Sequence, residues 1–120
     1  MNKLKTIGKW HESQVITDEL RSVATMRIDT LAKTLSPPTV LKIYAEGAEV
    51  NILEGSEATI SKYRPVMLVE DPNELWDALR NIFQRHDYVI VDGQAEHPVP
   101  LQHPVWDSVA VPREKYWARA

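Results

Sequence analysis

Apolar residues along this chain fall into five short β-rich runs, separated by stretches with helical spacing or by proline-rich polar segments. In Ser22–Ile28 (SVATMRI), Val23, Met26 and Ile28 suit a short strand. Asp29 then stands where it caps a short helix carrying Leu31 and Leu35 four apart on one face, and Pro37-Pro38 stops that helix. Thr39–Ala45 (TVLKIYA) is nearly continuous in apolar character, as a strand covered on both faces reads. Glu46-Gly47 is the expected turn, with Gly47 supplying the conformational freedom for a tight strand-to-helix bend. The next helix carries Val50, Leu53 and Ile60 on one side and is interrupted at Gly55-Ser56.

Pro65 leads VMLVE, another short continuous strand. Asp71-Pro72-Asn73-Glu74 is a strong helix start: Asp71 as cap, Pro72 in the first turn, Glu74 three residues after the cap. Leu75, Trp76, Leu79, Ile82 and Phe83 follow at helical spacing and read as packing residues. Tyr88–Val91 is a strand ended by Asp92-Gly93. Gln94–Trp106 reads as a loop with three prolines, Ser108–Val111 as a last strand closed by Pro112, and PREKYWARA as a further helical turn. Strand and helix alternate, which implies an α/β domain with a mainly parallel sheet and flanking helices. The last strand follows a long loop without a helix, and an antiparallel edge position is expected for it.

Composition narrows the function more than the fold. The 120 residues fit one small domain. A formal net charge of −3 gives no basis for a nucleic-acid or acidic-lipid partner. Cysteine is absent, which excludes disulfides and thiolate chemistry. The start, MNKLKTIGKWHESQ, lacks the apolar core of a signal peptide, and no apolar run approaches the ~18 residues of a membrane span. A cytoplasmic protein is the expectation. His11, His86, His97 and His103 show no metal-ligand spacing, so no metal site is expected, and no phosphate loop or Ser-His-Asp arrangement is visible.

One set of segments is more specific. Ile28-Asp29 precedes Lys42-Ile43-Tyr44-Ala45-Glu46-Gly47-Ala48-Glu49; then come Leu53-Glu54-Gly55-Ser56, Arg64-Pro65-Val66 with Glu70, and Ala110-Val111-Pro112. In this order they resemble the second half of the FkbM-type methyltransferases, and Leu4, Ile7-Gly8-Lys9 and His11 are similar to the segment upstream. The resemblance implies a partial Rossmann-like methyltransferase sheet, with residues 1–21 as a loosely ordered N-terminal segment and 22–120 as the C-terminal half of the domain. It implies S-adenosylmethionine as cofactor and methyl transfer to an oxygen of a small-molecule or sugar acceptor. Two departures stand out. The family's glycine-rich cofactor turn has no counterpart among these four glycines, and Tyr44 occupies the position of an aspartate.

Ligands of open α/β sheets bind outside the carboxyl ends of the strands. Glu46 and Glu70 are therefore the candidate catalytic carboxylates, and Tyr44, Glu46 and Gly47 the candidate cofactor contacts. Glu49 is a further candidate for the same cleft, set against a simple role at a helix N-terminus. Trp10, Trp106 and Trp117 are candidate partner-surface aromatics, and His11 beside Trp10 a candidate pocket residue. Two function classes follow: a methyltransferase whose cofactor-binding half is supplied by a longer product or a separate subunit, and a non-catalytic remnant that acts as an interaction or assembly module. In the first class the isolated chain is expected to be inactive. In the second, a sheet lacking its first strands exposes an edge that invites self-association.

Overall fold

The computed structural model describes residues 24–70 and 72–117. The chain runs through helix α1 (Ile28–Leu31), strand β1 (Val40–Ile43), helices α2 (Glu49–Glu54) and α3 (Glu57–Tyr63), and strand β2 (Val66–Glu70). A 3-10 turn (Asn73–Leu75) leads into α4 (Trp76–Arg85), then β3 (Tyr88–Asp92), β4 (Asp107–Pro112) and α5 (Arg113–Trp117).

The four strands form a mixed sheet in the order β1-β2-β4-β3. β1 and β2 pair in parallel, Val40 with Val66 through Ile43 with Val69. β4 pairs antiparallel with β2 on one side and with β3 on the other. The expected antiparallel edge position is thus corrected: β4 is antiparallel but interior. Inserted between β2 and β3, it leaves one parallel pair among the described strands, which form a mixed sheet where a mainly parallel one was expected. In this place Ser108, Ala110, Val111 and Pro112 are all buried.

Side-chain alternation along the strands separates two layers of packing. On one face Ile43, Met67, Val69, Tyr88, Ile90 and Ala110 meet Leu53, Ile60, Trp76, Leu79, Ile82 and Phe83 from α2, α3 and α4. Burying each of the large apolar side chains contributes about 1.5–3 kcal/mol. On the other face Val89, Val91 and Val111 form a smaller cluster with Val109 and with Tyr116 of α5. β3 is consequently buried on both faces.

β1 does not behave as a strand covered on both faces. It is shorter than expected, ending at Ile43, and Val40 is 55% and Tyr44 43% exposed. Among the described residues it pairs with β2 alone.

Residues 24–27 form no strand, so the one expected over Ser22–Ile28 is absent from its described part. Local contacts claim this segment instead: the Arg27 guanidinium donates to the Glu54 carbonyl, and the Asp29 N–H to the Gly55 carbonyl. Asp29 also does not cap its own helix; it lies inside α1. Its carboxylate accepts from the N–H groups of Ala58 and Thr59 and from the Thr59 hydroxyl, at 2.7–3.0 Å. It therefore caps α3, thirty residues away. Ser56 occupies the N-cap position of α3, but its hydroxyl donates to the Ile52 carbonyl at 2.7 Å and takes no part in capping. Burial pushes the Asp29 carboxyl up, but its hydrogen bonds with Thr59 and Ala58 and the charge of Arg27 outweigh that and hold it below the ordinary value.

Arg64 joins segments distant in the chain. Its own φ of 53° ends α3 in the left-handed region. Its guanidinium stacks over the Tyr88 ring at 4.8 Å, donates twice to the Glu114 carboxylate at 2.9 Å, and reaches the carbonyls of His86 and Asp87. The Arg-Pro-Val segment is thus a structural clamp among α3, β3 and α5.

Candidate active-site cleft

β1 and β2 run parallel, so their carboxyl ends lie side by side. The turn after β1 carries Glu46 and Gly47, β2 ends on Glu70, and the following 3-10 turn presents Asn73 and Glu74. With Pro104, Val105 and Trp106 from the loop before β4, these residues line a cleft of about 630 Å³. That volume is within the ~300–1,000 Å³ of small-ligand sites.

The turn after β1 is held from beneath by Glu49. Its side chain is fully buried, and its two carboxylate oxygens accept from the N–H groups of Ala45 at 2.7 Å and Gly47 at 3.0 Å. Glu49 therefore does not face the cleft, which corrects its candidacy. It organises the turn that carries Glu46. Gly47 has φ 104°, a conformation that disfavours any side chain, although a Cβ there would meet no atom within 4 Å. Glu46 has φ 53°, a left-handed conformation uncommon for residues other than glycine. Strained positions of this kind concentrate at functional sites.

The structure brings Glu46, Gly47 and Glu70 together as the sequence suggested. Burial lifts the Glu70 carboxyl above its ordinary value, and the charges of Glu46, Glu49 and Asp107 lift it further. A carboxyl raised in this way accepts a proton more readily than an ordinary one.

Tyr44 stands beside the cleft. Its hydroxyl donates to Asp107 Oδ1 at 2.9 Å, and the Lys42 ammonium lies 4.8 Å from its ring centroid. The hydrogen bond to Asp107 raises the phenol above its ordinary value, with desolvation and the charges of Asp107 and Glu70 acting in the same direction. Tyr44 is therefore a protonated donor at neutral pH. Asp107, the cross-strand neighbour of Glu70, was not legible as a site residue in the sequence. Its only signal was its place at the head of the last strand, and its closeness to Tyr44 depends on where β4 inserts. Trp106 is 63% exposed at the cleft.

The other candidates lie elsewhere. His86 ends α4 between Ser61 Oγ at 3.3 Å and Glu57 Oε2 at 3.4 Å, a link between helices. His97 and His103 are exposed in the loop before β4. Asp71, Trp10 and His11 lie outside the described residues, as does the Trp117 side chain. Among the described residues no group of acidic or histidine side chains is arranged to hold a metal, and no helix is long and apolar enough to cross a membrane.

A cleft at the carboxyl ends of adjacent parallel strands, lined by carboxylates, has the position at which open α/β domains take their ligands. Residues 4–90 match the methyltransferase FkbM domain, which covers more than half of the chain. The chain belongs to that family. No curated protein and no solved structure gives a significant match.

The family implies S-adenosylmethionine, and the described residues fit that cofactor poorly. The N–H groups of Ala45 and Gly47, the nearest backbone donors at the turn, are already used by Glu49. None of the cleft's lining residues forms a glycine-rich turn that would seat a nucleoside. The cleft offers carboxylate acceptors, a side-chain amide and an aromatic face.

Proposed function

We propose that this chain carries the acceptor side of an S-adenosylmethionine-dependent O-methyltransferase acting on a hydroxyl-bearing small molecule or sugar. The observation that carries the reading is the cleft at the ends of β1 and β2, set within the stretch matched by the FkbM domain. In this reading the acceptor hydroxyl lies against Glu46 and Glu70, and Glu70 takes up the proton it releases. The raised Glu70 carboxyl supports that role. Tyr44, held by Asp107, is a hydrogen-bond donor at the rim. The methyl donor is seated by chain outside the described residues, from a longer product or a separate subunit. Calorimetric titration with S-adenosylmethionine tests the proposal. Binding that appears only when such a segment is supplied supports it, and the absence of binding in its presence overturns it.

A second reading, an interaction module, is favoured by one observation. Among the described residues β1 has one unpaired edge, and the apolar side chains of Met26, Leu31, Leu35 and Val40 are exposed. Light scattering decides: a monomer at high concentration argues against self-association, and a concentration-dependent dimer supports it.

A further inference from the structure

We infer that the Tyr44–Asp107 hydrogen bond is a latch that sets the gape of the cleft, with the two residues positioning its opposite walls. The latch rests on geometry alone; its service to an acceptor molecule rests on the methyltransferase reading.

The first observation is the path of the bond. β1, β2 and β4 are neighbours in the sheet. Tyr44 follows Ile43, the partner of Val69, and so comes beside Glu70, which itself pairs with Asp107. Neighbouring strands lie about 4.8 Å apart, which separates β1 from β4 by roughly 10 Å. A bond of 2.9 Å from the Tyr44 hydroxyl to Asp107 Oδ1 therefore requires the phenol to lie across the end of β2. A serine or threonine hydroxyl would fall short of Asp107.

The second observation is what the bond connects. Glu46, two residues beyond Tyr44, stands in one wall of the cleft, and Val105 and Trp106, just before Asp107, stand in the other. Glu49 fixes the first wall from beneath, but it does not reach the second. Among the described residues the Tyr44–Asp107 bond is the one hydrogen bond joining 44–49 to 102–107. Residues 102–106 have no regular structure, and the Ser108 hydroxyl donating to the Val105 carbonyl at 3.3 Å gives them little hold of their own.

The third observation is that both ends of the latch are themselves held. The Lys42 ammonium, 4.8 Å from the Tyr44 ring centroid, steadies the phenol. At the other end Gln94 Nε2 donates to Asp107 Oδ2 at 3.3 Å, and the Gly93 N–H donates to the Asp107 carbonyl at 3.0 Å. Gly93 packs so closely that a Cβ there would come within 3.2 Å of that carbonyl oxygen. Asp107 is thus anchored to the end of β3, and Tyr44 ties that anchor to β1.

The test is amide hydrogen exchange by NMR on the full chain. The Gly47 N–H, bonded to Glu49 Oε1, reports on the first wall, and the Gly93 N–H on the second. The Arg113 N–H, bonded to the Asp87 carbonyl beyond the far end of β4, is the reference. Loss of one such hydrogen bond shifts an opening equilibrium by about 5-fold. Tyr44→Phe and Asp107→Leu are each expected to speed exchange at Gly47 and Gly93 by about that factor relative to Arg113. A general loss of stability would speed all three amides alike. Asp107→Asn keeps an oxygen that accepts from Tyr44 and is expected to stay within about 2-fold of the parent chain. If Asp107→Leu does not fold, Tyr44→Phe, which removes one oxygen from a half-exposed side chain, carries the comparison with Asp107→Asn. Equal or absent speeding of the three amides in Tyr44→Phe, or an Asp107→Asn variant as loose as Tyr44→Phe, overturns the latch and leaves the methyltransferase reading standing. Selective speeding in a chain that binds S-adenosylmethionine under no condition keeps the latch and removes the methyltransferase reading.

Discussion

Glu46 and Glu49 sit three residues apart and do opposite work. Glu46 is exposed, left-handed and aimed at ligand space; Glu49 is fully buried and spends both oxygens on the backbone of the turn. Removing one partner of a buried hydrogen bond costs about 1–3 kcal/mol for each group left unsatisfied. Glu49→Ala orphans two N–H groups and is expected to lower stability by about 2–5 kcal/mol in denaturant unfolding. Glu46→Ala, with no partner among the described residues to lose, is expected to change stability by less than about 1 kcal/mol. A similar loss for both variants would show that the turn is not organised from beneath. The sequence placed both glutamates at the strand's end but did not distinguish them. The burial of Glu49 depends on how α2 packs, which no local pattern encodes.

At the scale of elements, helix boundaries were mostly legible. The break at Gly55-Ser56 and the buried stripe of Trp76, Leu79, Ile82 and Phe83 follow from local periodicity and turn chemistry, whereas α4 begins only at Trp76, after a 3-10 turn, and leaves Pro72 outside its first turn. Capping was not. A serine at an N-cap position normally accepts from the first turn, but Ser56 donates backwards and Asp29 supplies the cap from α1. Asp29→Ala is therefore expected to destabilise the domain by about 2 kcal/mol, the upper part of the range for a lost cap. Ser56→Ala should cost less than Asp29→Ala in the same thermal or denaturant measurement. The reverse ranking would return the cap to Ser56. The same contacts explain why Ser22–Ile28 misled: its alternation suits a strand, but no strand lies beside its described part, and Arg27 and Asp29 are drawn to the α2–α3 junction instead.

At the scale of the whole molecule, Arg64 ties the end of α3 to β3 and α5. The Arg64 guanidinium beside Glu114 holds that carboxyl down at about 2, against an ordinary value of 4.5. A folded-state value below the unfolded one contributes stability above about pH 4.5, and that contribution is lost as pH falls through 4.5 toward 2. Glu114 is half exposed, and solvent screening keeps the contribution to about 1 kcal/mol or less. Glu114→Gln should lower stability by that amount at pH 7 and by almost nothing at pH 2, as read from urea unfolding across this range. A constant difference at all pH values would show that the pair acts through packing alone. The sequence by itself determined the α/β class, the run of elements from β1 to β4, the tight turn at Gly47 and the resemblance to the FkbM domain. Each of these is carried by residues near one another in the chain, through periodicity, turn propensity and a contiguous motif. Only the tertiary structure decided that β4 lies between β2 and β3, that Asp29 caps α3, that Tyr44 meets Asp107, and that Trp106 joins Glu46 and Glu70 around one cleft. Those pairings join residues from 16 positions apart, as Asp92 and Ser108 are, to 63 apart, as Tyr44 and Asp107 are, and they follow from which surfaces can be buried together rather than from any local pattern.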